Sequence, residues 1–342
     1  MRAIAAQAQE QTQEKRTEEN PMSRWRCLAL MIAALLGGAC PASAQDGYPS
    51  RPIRIIVAFS PGSGNDVIAR ELARLMPETL GQSVFVENRL GGGGIVATDV
   101  VAKAAPDGYT VGLGTSSQLV MNIALNKTLP FDVERDLAMI GLISRTNMTL
   151  LASRDGPGTV KEIIARSREK PGSITYGSGG PGSISHIVGE TMARKAGIEM
   201  MHVPYKGNAS AMTDLAGGRI DLVFDAITSA VALKGLVKMV AISGEKRNPA
   251  APEVPTFAEA GLPGYEAYTW NCLFVPAATP QPIIDKLNAA LNKALAVASV
   301  HEITQRNGGE IIGPSTPAQA AAFGAKERAQ WLPIVRDMNI AH

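Results

Sequence analysis

Apolar residues recur along this chain in two alternating rhythms. Ile53-Arg54-Ile55-Ile56-Val57-Ala58-Phe59 is a β-branched run of the kind that a parallel sheet buries on both faces. Ser60-Pro61-Gly62-Ser63-Gly64 breaks it. Val67, Ile68, Glu71, Leu72 and Leu75 then fall at helical spacing, with the apolar members on one stripe. Gly81 is expected to end that helix. Val84–Glu87 reads as a second strand, Gly91–Gly94 as another break, Ile95–Ala105 as a second helix and Thr110–Leu113 as a third strand. Strand and helix alternating in this way predict a parallel sheet covered by helices.

The segment Met139–Ser153 changes the rhythm. It is extended and mostly apolar with no helix inside it, and reads as a long strand crossing between two lobes. A second α/β set follows: strands at Ser173–Tyr176, Met200–Val203, Asp221–Phe224 and Lys238–Ile242, with helices at Ser183–Lys195 and Ala209–Ala216. Tyr268–Val275 reads as a return crossing, and Ile283–Ala296 and Pro317–Asn339 as terminal helices. Two sheets joined by two crossings predict an α/β clamshell, with residues 45–146 and 270–342 in one lobe and 147–269 in the other. Ligands of open α/β sheets sit at the carboxyl ends of strands, which places the expected site in the interlobe cleft. The two crossings, near Leu142–Asn147 and Tyr268–Leu273, are the expected hinge.

The front of the chain belongs to export. Arg24-Trp25-Arg26 is a basic patch, Cys27–Leu36 an unbroken apolar run, and Pro41-Ala42-Ser43-Ala44 ends in small residues. That order predicts a secretory signal peptide cleaved after Ala44, too short to span a membrane. The polar residues before Met22 are superfluous to such a signal and make Met22 a candidate start. Cys40 offers a lipoprotein reading, against which Gly37 stands where a lipobox wants leucine. Only Cys272 remains after cleavage, so no disulfide forms within the chain. A formal charge of +2 and 5% aromatic residues argue against a nucleic-acid partner.

Gly177-Ser178-Gly179-Gly180-Pro181-Gly182 matches G-x-G-x-x-G between a strand and a helix. A dinucleotide site also needs an acidic residue ending the next strand, where Pro204-Tyr205-Lys206 stands instead. A P-loop needs Lys-Ser/Thr where Ser183-Ile184 stands. What survives is simpler: a glycine-rich turn feeding a helix lets an anion approach the unpaired N–H groups at its positive end. The arrangement occurs twice, at Ser60–Asp66 and Gly177–Ser183. Asp66 follows Ser63 at capping-box spacing, and His186 lies in the first turn of its helix. Asp225 ends a strand. Catalytic patterns are missing from the sequence: there is no H-E-x-x-H, no G-x-S-x-G, and no motif that activates Cys272. A carboxylate pair formed by Asp66 and Asp225 is the remaining enzymatic alternative.

The succession of segments resembles the Bug-type extracytoplasmic solute receptors of tripartite tricarboxylate transporters. It runs through Phe59-Ser60-Pro61-Gly62 with Asp66 and Ala69-Arg70, Asn88-Arg89 to Gly94, Ala105-Pro106-Asp107-Gly108-Tyr109-Thr110 and Leu129-Pro130-Phe131-Asp132 with Asp136. It continues with Tyr176-Gly177-Ser178, Gly182-Ser183 and His186, then Pro204-Tyr205-Lys206-Gly207, Asp214-Leu215, Gly217-Gly218, Phe224-Asp225, Val254-Pro255-Thr256, Glu259-Ala260-Gly261 and Trp270. The resemblance implies a two-lobed periplasmic binding protein of the Venus-flytrap type (type II), monomeric, without catalysis or cofactor. It implies a small carboxylate held in the cleft for membrane transporter subunits; a ligand-sensing receptor feeding a two-component system needs the same clamshell and stands as the alternative. The candidate ligand residues are Phe59, Pro61, Gly62, Ser63, Gly64 and Asp66 from the first loop and Ser178, Gly179, Gly182, Ser183 and His186 from the second. Ser116, Arg145 and Asp225 complete the set. Ser178 and Ser183 are expected to contact the carboxylate, and Arg145 either faces solvent or clamps a second carboxylate. The chain departs from the family pattern at Ser63, where a glycine is usual, at Leu90, where proline is common, and at Cys272, where glycine is frequent.

Overall fold

The computed structural model describes residues 47–338 except Lys127 and Lys234, so the expected signal peptide and its cleavage site lie outside the described residues. The chain divides into Met1–Tyr48 and Pro49–His342, and the fold described here is that of the second unit. Counting helices of at least eight residues, the order is β1 (Ile53–Val57), α1 (Gly64–Leu75), β2 (Val84–Asn88), α2 (Ile95–Ala102), β3 (Thr110–Thr115), β4 (Leu137–Ser153) and α3 (Val160–Glu169). Then come β5 (Thr175–Ser178), α4 (Ile184–Ala196), β6 (Met201–Pro204), α5 (Asn208–Ala216), β7 (Leu222–Ala226), β8 (Val237–Ile242) and β9 (Tyr268–Pro276). The chain closes with α6 (Gln281–Leu295), α7 (Ala298–Arg306), β10 (Gly309–Ile311) and α8 (Pro317–Asp337).

The strands form two sheets that share β4. In the first sheet β1 lies between β2 and β3, all parallel, and β9 runs antiparallel between β3 and the first part of β4, with β10 on the outer side of β4. In the second, β5 lies between β6 and β7, all parallel, and the end of β4 runs antiparallel between β7 and β8. Each sheet therefore repeats one plan, three parallel strands followed by one antiparallel crossing strand. The expected parallel sheet is in fact mixed at that position. The hand-over on β4 falls between Asn147, the last residue paired with β9, and Met148, the first paired with β7. Met148 N–H donates to Ala267 C=O at 2.8 Å, closing the two crossings against each other.

This pairing fixes the direction of every strand. β1 and β3 run parallel to β4, so their carboxyl ends point toward the second sheet. β5 and β7 run against β4, so theirs point back toward the first. The loops following all four strands converge between the sheets. Each sheet has its own core. Trp270, Cys272, Phe274, Leu119 and Trp331 pack in one, and Leu150, Tyr176, Met192, Phe224 and Phe257 in the other. Ile184, at the start of α4, packs against both. Among the described residues no helix is long and apolar enough to cross a membrane.

Three local expectations are corrected. Val67 is 38% exposed, and the buried stripe of α1 is instead Asp66, Ile68, Ala69, Leu72 and Ala73, because residue 67 lies off the face turned to the sheet. Helix α1 stops at Leu75, and Gly81, at φ 71°, caps the separate turn Pro77–Leu80. Helix α2 ends at Ala102 rather than Ala105, since Pro106 bars the helical conformation from the residue before it. The sequence reading also passed over α3, α7 and β10. Helix α3 buries only Val160, Ile163 and Ser167, too few apolar residues to show a period. Its start was nonetheless marked, since Thr159 and Glu162 stand at capping-box spacing and Thr159 Oγ1 accepts from Glu162 N–H at 3.1 Å.

Candidate functional site

The loops after β1 and β5 are two copies of one turn. Pro61-Gly62-Ser63 leads into α1, and Pro181-Gly182-Ser183 leads into α4. Gly62 and Gly182 sit at φ 82° and 75°, the left-handed region in which a side chain is costly. Ser63 and Ser183 are the N-caps, at φ/ψ of −67°/160° and −64°/156°, and each hydroxyl accepts from the N–H three residues on. Ser63 N–H donates to Ser60 C=O, and Ser183 N–H to Gly180 C=O, both at 3.1 Å.

The match extends to the third residue of each helix. Gly62 N–H donates to Asp66 Oδ2 at 2.8 Å, and Gly182 N–H to His186 Nδ1 at 3.0 Å. An aspartate and a histidine thus present an acceptor at the same place, each drawing the glycine of its turn back over the first helical residues. In both copies the N–H groups at the very start of the helix, Gly64 and Asn65 in one and Ile184 and Ser185 in the other, have no acceptor among the described residues. Such groups carry the positive end of the helix dipole. Two of these ends, at the converging ends of the two sheets, make a cleft suited to an anion.

Asp66 is 1% exposed, and each of its oxygens is taken. Oδ2 also accepts from Arg70 Nε at 2.8 Å, and Oδ1 from Asn88 Nδ2 at 2.8 Å. Burial opposes its ionisation, but the bonds from Arg70, Asn88 and Gly62 outweigh it and hold its pKa at about 2. Asn88 also donates to Phe59 C=O at 2.9 Å, fixing the end of β1 and leaving Phe59 half-buried above the core. Asp66 therefore shapes the first turn from behind.

The second turn rests on two stacked histidines, His186 buried and His202 half-buried. His186 stacks on His202 with ring centroids 3.8 Å apart, and His202 stacks on Tyr176 at 5.0 Å. Burial pulls His186 down to about 4, and burial with the adjacent His186 does the same for His202. Both are neutral near pH 7. Because Nδ1 of His186 accepts from a backbone N–H, its proton sits on Nε2. Ser178 is fully buried. Its hydroxyl meets His202 Nε2 at 2.6 Å and Gly180 N–H at 3.1 Å. Gly179 N–H donates to Ser185 Oγ at 3.1 Å, which also meets Ser183 Oγ at 3.1 Å. Ser178 and Gly179 accordingly hold the turn in shape, and Ser183 is the half-buried hydroxyl at its mouth.

The remaining candidates fall in three places. Ser116, just past β3, is buried and bonds Thr269 at 2.9 Å, tying the cleft floor to the return crossing. Asp225, at the end of β7, is half-buried and accepts from Ala226 N–H at 2.7 Å. Burial raises its pKa against the lowering effect of Ala226, Asn208 and Ser229, and as an acceptor it suits a ligand hydroxyl or ammonium rather than a carboxylate. Arg145 is set apart from both turns. It is ion-paired with Glu310 on β10, its guanidinium lies 5.8 Å from the Tyr268 ring centre, and it lines a separate cavity of about 950 Å³ with residues 245–250 and Glu302. Cys272 is fully buried beside Trp270 and Phe274 in the core, where burial pushes its thiol well above the usual range, so it forms no part of the cleft wall.

A two-lobed α/β fold with a duplicated, acceptor-seeking turn in its cleft defines a solute-binding protein. Residues 68–340 match the family described as tripartite tricarboxylate transporter family receptor, and the chain belongs to that family. BugT of Bordetella pertussis is 34% identical over 92% of this chain and 98% of its own length. Among solved structures, an R. palustris protein with adipate is 32% identical over 86% of this chain and 99% of its own, with a TM-score of 0.74. MatC from Rhodopseudomonas palustris with bound malate is 32% identical over 84% of this chain and 100% of its own, with a TM-score of 0.72. The family is one of receptors, and solved relatives include a periplasmic transporter and the periplasmic binding protein BugD, rather than enzymes.

Proposed function

We propose that this chain is an exported, monomeric receptor that captures a small organic carboxylate between its lobes and hands it unchanged to the membrane subunits of a tripartite tricarboxylate-type transporter. The lobes are residues 45–146 with 270–342 and residues 147–269. Export relies on the segment from Arg24 to Ala44, which delivers the protein to the periplasm. The observation that carries the reading is the duplicated Pro-Gly-Ser turn, with its four free N–H groups at the facing ends of two sheets. Relatives solved with adipate and malate support the same ligand class.

Neither turn carries Lys or Arg, and none is required. Micromolar binding needs about 8 kcal/mol. Each helix end supplies roughly 0.3–2 kcal/mol, and hydrogen bonds to a charged carboxylate add about 1.5–3 kcal/mol each. The experiment is a thermal-shift screen of mono-, di- and hydroxycarboxylates on the purified protein, confirmed by calorimetry. A ligand at a hundredfold excess over its Kd stabilises the folded state by about 2.7 kcal/mol, so at least one acid should raise the melting temperature saturably and be recovered chemically unchanged. No stabilisation by any acid at millimolar concentration, or turnover of the bound acid, contradicts the proposal.

A further inference from the structure

The two turns differ in what stands behind them. Asp66 is anchored by Arg70 and Asn88, whereas His186 is anchored by a second histidine. His202 lies on β6, outside both cleft loops, and touches the second turn at two points. Its ring lies against His186 with centroids 3.8 Å apart and planes 14° from parallel. Its Nε2 meets Ser178 Oγ at 2.6 Å, and the same hydroxyl accepts from Gly180 N–H at 3.1 Å. Ring face and ring edge thus fix both ends of the loop, Gly182–His186 by the first and Ser178–Gly180 by the second.

The groups set against the pair come from four elements. Tyr176 on β5 stacks on both rings and donates to Glu190 Oε1 on α4 at 2.5 Å. Glu190 favours a proton on His202, but burial and the adjacent His186 outweigh it. Tyr265, from the segment before β9, donates to Val188 C=O at 2.6 Å. β7 packs in the same core as α4 through Leu222 and Phe224, and its Asp225 points to the opposite face, where Asn208 bonds it.

A proton added to His186 enters at Nδ1, since Nε2 already carries one. It would set one N–H against another across the 3.0 Å between Nδ1 and the Gly182 nitrogen, at the contact that shapes the turn. A proton on His202 would place a cation 3.8 Å from a ring that must then stay neutral. The first turn is not exposed to this, because the Asp66 carboxylate remains an acceptor down to a pH of about 2.

Resting on the carboxylate reading of the cleft, we propose that His202 is a positioning residue for the ligand, holding the second turn in its anion-receiving form through His186 and Ser178, and that it does so only while both rings are neutral. Proton uptake by the pair then withdraws the second lobe's contact with the carboxylate while the first turn stays formed. Burial keeps both rings neutral down to about pH 4, so the loss falls well below the range of an ordinary histidine.

The test is calorimetry with malate, adipate and the strongest binder of the acid screen. At pH 7, His202→Leu, which bonds nothing to Ser178, should weaken binding about thirtyfold, and His202→Gln, whose amide reaches Ser178, should recover most of that loss. The double variant His186→Asn with His202→Gln keeps an acceptor facing Gly182 and a partner for Ser178 but takes up no proton. With each protein scaled to its own affinity at pH 7, the wild type should lose at least about fourfold more than the double variant by pH 3.5. The ligand's own titration cancels in that comparison, and a merely structural role for His202 would not produce the difference. The unmodified chain gives an independent reading by NMR: saturation with the acid should move the titration midpoints of the two rings to lower pH. Unaltered affinity in His202→Leu overturns the positioning role. Equal pH profiles, or ring midpoints that stay put or rise on saturation, overturn the need for neutral rings. A wild-type protein that binds none of the acids overturns the carboxylate reading and this inference with it.

Discussion

Gly182→Val is expected to weaken ligand binding more than a hundredfold while the protein stays folded. Gly182 holds φ 75°, where a residue with a Cβ costs about 1–2 kcal/mol, and a methyl there would lie 2.6 Å from Leu125 Cδ1 on the other side of the cleft. Relieving either problem turns the Gly182 N–H away from His186 and shifts the Ser183 cap, removing one of the two anion-facing turns. Smaller changes separate the causes. Gly62→Ala meets no atom within 4 Å and carries only the backbone strain, so it should cost less affinity than Gly182→Ala. Adding Leu125→Ala to Gly182→Ala should recover the part due to the contact and leave the strain. Equal losses at Gly62 and Gly182, with no recovery, would show that the Leu125 contact plays no part in binding.

Asp66→Ala carries the largest expected effect on stability. It leaves the Gly62 N–H, the Asn88 amide and the Arg70 guanidinium without their acceptor, and breaking one side of a buried ion pair costs about 3–5 kcal/mol. Arg70 is half exposed and can turn to water, which favours the lower end. Denaturant unfolding at pH 7 should register the loss, and a change below 1 kcal/mol would contradict it. The same contacts set a pH dependence. Asp66 has a folded pKa of about 2 against an ordinary 3.8, so it binds fewer protons folded than unfolded. Its stabilisation, about 2 kcal/mol, is complete above pH 4 and lost as the pH falls through 2. The Asp66→Ala variant should lack this portion of the acid transition.

Much of this arrangement was legible in the sequence, for physical reasons. Parallel strands buried on both faces leave unbroken runs such as Ile53–Val57, and the 17-residue strand β4 left one too long for a single sheet. The repeated Pro-Gly-Ser is visible because a left-handed turn before a helix demands glycine and the cap demands a short hydroxyl. What stayed hidden depends on tertiary context. Asp66 and His186 differ in charge and type, and their equivalence appears only when each is seen to accept from the glycine of its turn. Ser178 looked like a ligand group because it borders the loop, but its strand places the hydroxyl inward against His202, a partner 24 residues away. Arg145 was poised between solvent and cleft until β10, too short to show a period, supplied Glu310.

The central claim is that a carboxylate sits between the starts of α1 and α4. A crystal structure of the protein grown with the strongest acid from the screen tests it most directly. The account predicts one carboxylate group between the N–H groups of Gly64 and Asn65 and those of Ile184 and Ser185, directly or through ordered water, with Asp66 and His186 still bonded to Gly62 and Gly182. An acid bound elsewhere, such as against Arg145 in the 950 Å³ cavity, with both turns empty, would contradict it.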